Sequence, residues 1–219
     1  MKQNIEPAEG KLGVLIVGVG GAVATTLMAG VIAARKGKAV PVGSTTQLAR
    51  IRMQDGEEHP IKELVPIARL EDIVFGGWDI FEEDAYQAAV YAEVLKAKDL
   101  ENVREELQAI HPMKAAFDHN FARRLNGTHL KEAKTRWEMV EQLREDIRRF
   151  KAGSGVARLV VLWAASTEIY LPMDDVHMHL DTLEAAMRAN DVDHIAPSMC
   201  YAYAALSEGV PFIMGAPNL

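Results

Sequence analysis

Two patterns of apolar residues run along this chain. The first is the short unbroken run: LGVLIV at Leu12–Val17, IVF within Asp72–Gly77, LVVLW at Leu159–Trp163 and VPFIM at Val210–Met214. Runs of that length without polar alternation predict strands buried on both faces, as in a parallel sheet. The second is the helical step of three and four. It predicts helices over Ala22–Arg35, ending near Gly37, over 82–110 with a break near Asp99, over 128–150, over 175–189 behind Pro172, and over 198–206. Within 128–150, Leu130, Ala133, Trp137, Val140, Leu143, Ile147 and Phe150 share one face. Thr128 reads as that helix's N-cap, with Glu132–Arg136 and Glu145–Arg149 as pairs on the wet side. A second strand is expected at Ala39–Gly43, at an edge or irregular because of Pro41, and a brief one at Ala115–Phe117, with broken structure over 44–68. Residues 1–11 read as a flexible N-terminus, which leaves 12–219 as one domain. Strand, glycine turn, helix and strand form the first unit of a doubly wound α/β fold, a mostly parallel sheet with flanking helices.

The junction between the first run and the first helix reads GVGGAVATT. In a dinucleotide site the first glycine allows the tight turn and the second lets backbone approach the pyrophosphate. A third small residue lets helix pack on strand, and the helix N-terminus offers N–H groups to the phosphates. Gly18 and Gly20 fill the first two roles. The usual third position is Val23, and Ala24, one residue later, is small. The loop is therefore either a variant fingerprint or a glycine-rich turn without a ligand. The ribose-binding acid expected after the second strand is missing: Val42-Gly43-Ser44-Thr45-Thr46 stands there, and no acid follows until Asp55.

Ligands of open α/β sheets sit beyond the carboxyl ends of the strands. The glycine loop, the GGWDI tip with Asp79, and the tip after LVVLW with Ser166 and Thr167 should thus line one crevice. Ser166 and Thr167 serve equally well as turn caps. The stretch DDVHMHLD holds His177 and His179 among aspartates, but Leu180, Leu183 and Met187 follow at helical spacing. On a helix, residues two apart point about 200° apart, which does not chelate one ion, so no metal site is expected.

Composition narrows the function classes. The chain has 219 residues, 49% hydrophobic and 25% charged, with a formal net charge of −7. That balance, without a basic stripe, argues against a nucleic-acid surface. The single cysteine, Cys200, precludes an internal disulfide, suits a reducing cytoplasm and lies in an apolar stretch where it reads as a buried small hydrophobe. Leu12–Ala34 carries no charge, but five glycines interrupt it, so no membrane span is expected. No Gly-x-Ser-x-Gly elbow and no Walker loop appears.

Seven stretches, in order, carry a resemblance: GVGGAVATT (18–26), GSTTQLARI (43–51), VFGGWDIF (74–81), MKAAFDHNFARRLNGT (113–128), LVVLWAASTEIY (159–170), PSMCYAYAAL (197–206) and GVPFIMGAPNL (209–219). Together they resemble the inositol-3-phosphate synthase (myo-inositol-1-phosphate synthase) family, most of all its bacterial branch.

The resemblance implies a Rossmann-like fold and a bound NAD that takes a hydride from open-chain glucose 6-phosphate and returns it after an aldol ring closure. Its longer glycine loop, GxGGxxG/A, is matched by Gly18, Gly20, Gly21 and Ala24. Carried over by position, the NAD contacts are the loop from Gly18 to Ala24, including Ala22 and Val23, then Asp79, Ala115, Ala164, Ala165, Ser166, Thr167, Gly215 and Ala216. Ala22 and Val23 stand where relatives often have asparagine, and Met214 stands where they often read NGAPN. The resemblance also implies a homo-oligomer, and catalytic lysines in a second domain. None of those lysines is assigned here, so no catalytic residue is expected. The chain reads either as the NAD-binding portion of a longer enzyme or as a binding module without turnover. An unrelated NAD(P)-dependent dehydrogenase is the weaker alternative.

Overall fold

The structure, a computed structural model, describes residues 9–54 and 56–216. Most of the expected flexible N-terminus, Asp55 and the last three residues lie outside that range. β1 (Leu12–Val17) leads through the glycine turn into α1 (Ala22–Arg35). An outlying arm follows, made of α2 (Thr45–Leu48), an antiparallel hairpin of β2 (Arg50–Arg52) and β3 (Glu58–Pro60), and α3 (Ile61–Leu64). Next come β4 (Ile73–Asp79), α4 (Ala85–Ala92), α5 (Ala97–Glu101), α6 (Arg104–Gln108) and β5 (Met113–Lys114). The chain continues through α7 (Arg136–Ser154), β6 (Arg158–Trp163), α8 (Leu180–Ala189), α9 (Pro197–Ser207) and β7 (Phe212–Met214).

The main sheet has the order β5-β4-β1-β6-β7 with every pairing parallel. The pleat of β1 divides the core. Ile16 faces Met28, Ala29 and Ile32 of α1, with Ala85, Ala89 and Leu107 from α4 and α6. Leu15 and Val17 face the other way, into a cluster with Val140, Leu143 and Ile147 of α7 and Tyr201, Ala204 and Ala205 of α9. Helices on both faces make this the doubly wound sheet expected. Gly76 sits beneath the Phe150 ring, where a Cβ would come within 2.5 Å, so α7 packs directly onto the strand backbone.

α1 matches its predicted bounds and closes as a Schellman motif, with Gly37 at φ +64°. The Gly37 N–H donates to the Ala34 carbonyl (3.0 Å) and the Lys38 N–H to that of Ala33 (2.8 Å). The run that lacked charges is thus a strand plus a short helix. No helix among the described residues is long and apolar enough to cross a membrane.

Four expectations are corrected. Ala39–Gly43 is not a strand. Pro41 cannot donate to a ladder, Val42 is 82% exposed, and the place beside β1 is taken by β4 instead. The helix expected from Thr128 starts at Arg136, capped by Thr135, whose hydroxyl accepts the Glu138 N–H at 3.1 Å. Residues 129–131 are diverted: Ala115 donates to the His129 carbonyl and accepts from the Lys131 N–H. Leu130 and Ala133 reach the core from that non-helical segment. The expected wet-side pairs also change: Arg136 is buried against Asp118, and Arg149 pairs with Asp146. Finally, 82–110 breaks into three helices, first at Glu93 in the left-handed region, earlier than Asp99.

Candidate functional site

The chain leaves β1 to one side for β4 and β5 and returns to the other for β6 and β7. The strand order therefore reverses at β1, where a parallel sheet opens a crevice at its carboxyl edge. Val17 lies level with Trp78 on one neighbour and Trp163 on the other. The next residues, Gly18, Asp79 and Ala164, emerge together into a cavity of about 720 Å³, a size suited to a cofactor.

The glycine turn forms one wall. Gly18 has φ +82°, and a Cβ there would lie 2.8 Å from the Cα of Ala165. The N–H groups of Gly18 and Val19 both donate to the Trp78 carbonyl, at 2.8 and 3.2 Å, and that of Gly21 to the Gly18 carbonyl at 2.9 Å. Gly21 is the N-cap of α1, and no side chain caps the helix or places an acid in its first turn. The N–H groups of Ala22, Val23 and Ala24 have no acceptor within the helix, and Ala22 and Val23 line the cavity. A Cβ on Gly20 or Gly21 would meet Asp79 Oδ2 or the Gly18 carbonyl at 3.1 Å. This uncapped positive helix end, kept clear by glycines, fits a diphosphate.

Asp79 faces it. Its Oδ2 accepts the Gly20 N–H at 2.8 Å and its Oδ1 the Phe81 N–H at 3.2 Å. Burial raises its pKa above the ordinary aspartate value, opposed by the N–H groups of Gly20, Phe81 and Ile80. Topology also accounts for the acid that seemed absent after the second strand. The strand in that position is β4, and its last residue is Asp79. It lies 59 residues beyond Gly20, against about 20 in the usual fingerprint, because 39–72 intervenes.

The opposite walls come from the β6 tip and from α9. Ala115, Ala164, Ala165 and Ser166 line the crevice, as do Gly18, Gly20 and Gly21. The other expected residues do not reach the lining. Ala24 is buried in the α1–sheet packing. Thr167 is exposed one position beyond Ser166. The Gly215 N–H continues the β6–β7 pairing onto the Trp163 carbonyl at 3.0 Å, and Ala216 packs against the core on the α7 face of the sheet.

Sequence reasoning missed Phe117, Asp118, Glu168, Pro197 and Tyr201. Tyr201 is wedged edge-on between Trp78 and Trp163, with ring centroids at 5.2 and 5.7 Å, and its hydroxyl accepts the Ala116 N–H at 2.9 Å. Glu168 follows directly on Ser166 and Thr167, so a carboxylate at that strand tip was visible, but its burial was not. Among the described residues that line the crevice there are acids and no Lys, Arg or His.

Elsewhere, His177 is a capping residue. Its Nδ1 accepts the Asp174 N–H at 3.0 Å and its Nε2 lies 2.8 Å from the His194 carbonyl, while His179 is the N-cap of α8. Cys200 is fully buried, which pushes its thiol pKa up to about 12.

A family model described as myo-inositol-1-phosphate synthase, of an NAD-binding type, matches residues 12–219. The chain is 66% identical over 219 residues to inositol-3-phosphate synthase 1 of Bacteroides thetaiotaomicron, covering all of this chain and 51% of that protein. It is 40% identical over 226 residues to inositol-3-phosphate synthase 1 of Oryza sativa subsp. japonica, covering 95% of this chain and 44% of that protein. The crystal structure of inositol-3-phosphate synthase from Caenorhabditis elegans superposes with a TM-score of 0.87 at 27% identity, over 97% of this chain and 45% of that one. The chain thus spans about half the length of the curated relatives it matches. With the doubly wound sheet, the open glycine cradle and the family match in agreement, the chain belongs to the myo-inositol-1-phosphate synthase family, as its NAD-binding portion.

Proposed function

We propose that this chain holds NAD across the carboxyl edge of its sheet, as the cofactor-binding part of an enzyme that converts glucose 6-phosphate to inositol 3-phosphate. The observation that carries the reading is the uncapped N-terminus of α1 behind Gly18, Gly20 and Gly21, with Asp79 across from it at the end of the neighbouring strand. The backbone of Gly21, Ala22 and Val23 would face the diphosphate, and Asp79 the adenosine ribose hydroxyls. Ala115, Ala164, Ala165 and Ser166 would bound the rest of the cofactor, with Trp78, Trp163 and Tyr201 closing the floor to water. When bound, NAD supplies a reversible hydride acceptor, so oxidation and later reduction of the sugar leave no net redox change. Positive charge for the sugar phosphate and the enolate oxygen is not supplied by the described lining, and that chemistry falls to groups outside this crevice. Self-association and a cytoplasmic setting belong to the same reading. The half-exposed Ile213 on the edge strand β7 and the single buried cysteine favour them.

Titration of the purified chain with NAD, followed by native mass spectrometry, tests the proposal. One NAD per chain is expected, with NADP weaker because its extra phosphate would face Asp79. Gly20→Asp is expected to weaken NAD by tenfold or more, about 1.4 kcal/mol, because its carboxylate would enter the cradle beside Asp79. No adduct at saturating NAD, or undiminished binding by Gly20→Asp, would overturn it.

A further inference from the structure

Between Ser166 and Tyr170 the usual order of burial is inverted. Ile169 and Tyr170 are exposed, and the one buried side chain is that of Glu168, at 5% exposure. Its Oε2 accepts the Ser198 hydroxyl at 2.5 Å and its Oε1 the Ser198 N–H at 3.2 Å. Ser198 is the second residue of α9, so the carboxylate closes the open N–H end of that helix from a loop 30 residues away. Burying an acid in this way is costly, and burial does raise its pKa, against the opposing bonds from Ser198.

The tether joins two walls of the crevice. On one side, Ala164 donates to the Val17 carbonyl at 3.0 Å, and Ala165 sits against Gly18 so closely that no Cβ fits between them. A shift of the β6 tip would therefore reach the glycine cradle. On the other side, α9 carries Tyr201, which holds the Ala116 N–H. Apart from Glu168, the loop's described attachment in this stretch is the Ile169 N–H to the Phe121 carbonyl at 2.9 Å.

We infer that Glu168 is a positioning residue for the cofactor crevice: by capping α9 through Ser198 it sets the Ala164–Thr167 loop, and with it the glycine turn, at the spacing NAD requires. The inference rests on the NAD reading above. Glutamine at 168 keeps an acceptor for the Ser198 N–H and a donor for its hydroxyl, whereas alanine keeps neither.

The test measures NAD affinity of the wild-type chain, Glu168→Ala, Glu168→Gln and Ser198→Ala, well below each melting temperature and with circular dichroism as a check on the fold. Glu168→Ala is expected to weaken NAD roughly tenfold and Glu168→Gln to stay within about threefold of wild type. If Glu168→Ala does not fold, Ser198→Ala breaks the same bond from the other end and is expected to weaken NAD severalfold. Wild-type affinity in the alanine variants, or a loss in Glu168→Gln equal to that in Glu168→Ala, would overturn the positioning role. Absence of NAD binding by the wild-type chain would instead sink the cofactor reading itself.

Discussion

Arg136 shows how one side chain serves both core and crevice. It is buried, its Nε donates to the Ile195 carbonyl at 3.0 Å, and its guanidinium pairs with Asp118 on the crevice wall. Burial pushes the Asp118 carboxyl up, but the Arg136 bond and the Asn120 N–H outweigh it and hold its pKa below the ordinary aspartate value. The pair therefore adds stability that is in place above about pH 4, where aspartate ionises in the unfolded chain, and is lost as pH falls through the lower native value. Arg136→Met should cost about 3 kcal/mol near neutral pH, because it leaves the carboxylate without its partner. It should also invert the slope. Burial, the largest influence on Asp118, is then opposed by the Asn120 bond without help from Arg136, so the native pKa rises above the unfolded one and the variant's deficit shrinks as pH falls from 7 toward 5. Urea unfolding at both pH values checks this, and an equal deficit at each would refute it.

At the scale of the element, α7 is capped seven residues beyond its apparent cap, at Thr135 instead of Thr128. The periodic apolar residues from 130 onward continue smoothly, yet Ala115 recruits the backbone of His129 and Lys131. Thr135 then caps the helix, and the Glu138 carboxylate reaches back to the Lys134 N–H at 2.7 Å. Thr135→Ala is expected to destabilise the chain by about 1 kcal/mol. Thr128→Ala, at an exposed position outside the helix, should change stability by less than about 0.5 kcal/mol. Thermal or urea unfolding of the two variants decides between these starts, and a larger effect at Thr128 would contradict the observed one.

At the scale of the whole molecule, the sheet with its helices and the 36–72 arm are differently built. No described residue from 36 to 72 is buried, and Val40, Val42, Ile51, Met53 and Val65 are exposed. β1, β4 and β6 are held by parallel ladders on both sides of β1 and packed from both faces. Local opening follows burial and protected backbone bonds. Hydrogen exchange should therefore replace the amides of 39–69 first and those of β1 and β6 last. Slow exchange across the arm would show that contacts cover it which this chain alone does not display.

The sequence by itself determined the elements whose cause is local. LGVLIV and LVVLW are apolar without interruption because both their faces are covered. Gly18, Gly20 and Gly21 announce a turn that leaves a helix end open, and Gly37 announces that helix's end. What only the tertiary structure decided is neighbour choice. Periodicity cannot say that 73–79 rather than 39–43 lies beside the first strand, because both segments are short and apolar and the competition is settled by pairing with a distant partner. That choice alone brings Asp79 to the glycine turn. Nor can local pattern bury Glu168 while exposing Ile169 and Tyr170, since the bond that stabilises its carboxylate is made by Ser198, on another element of the fold.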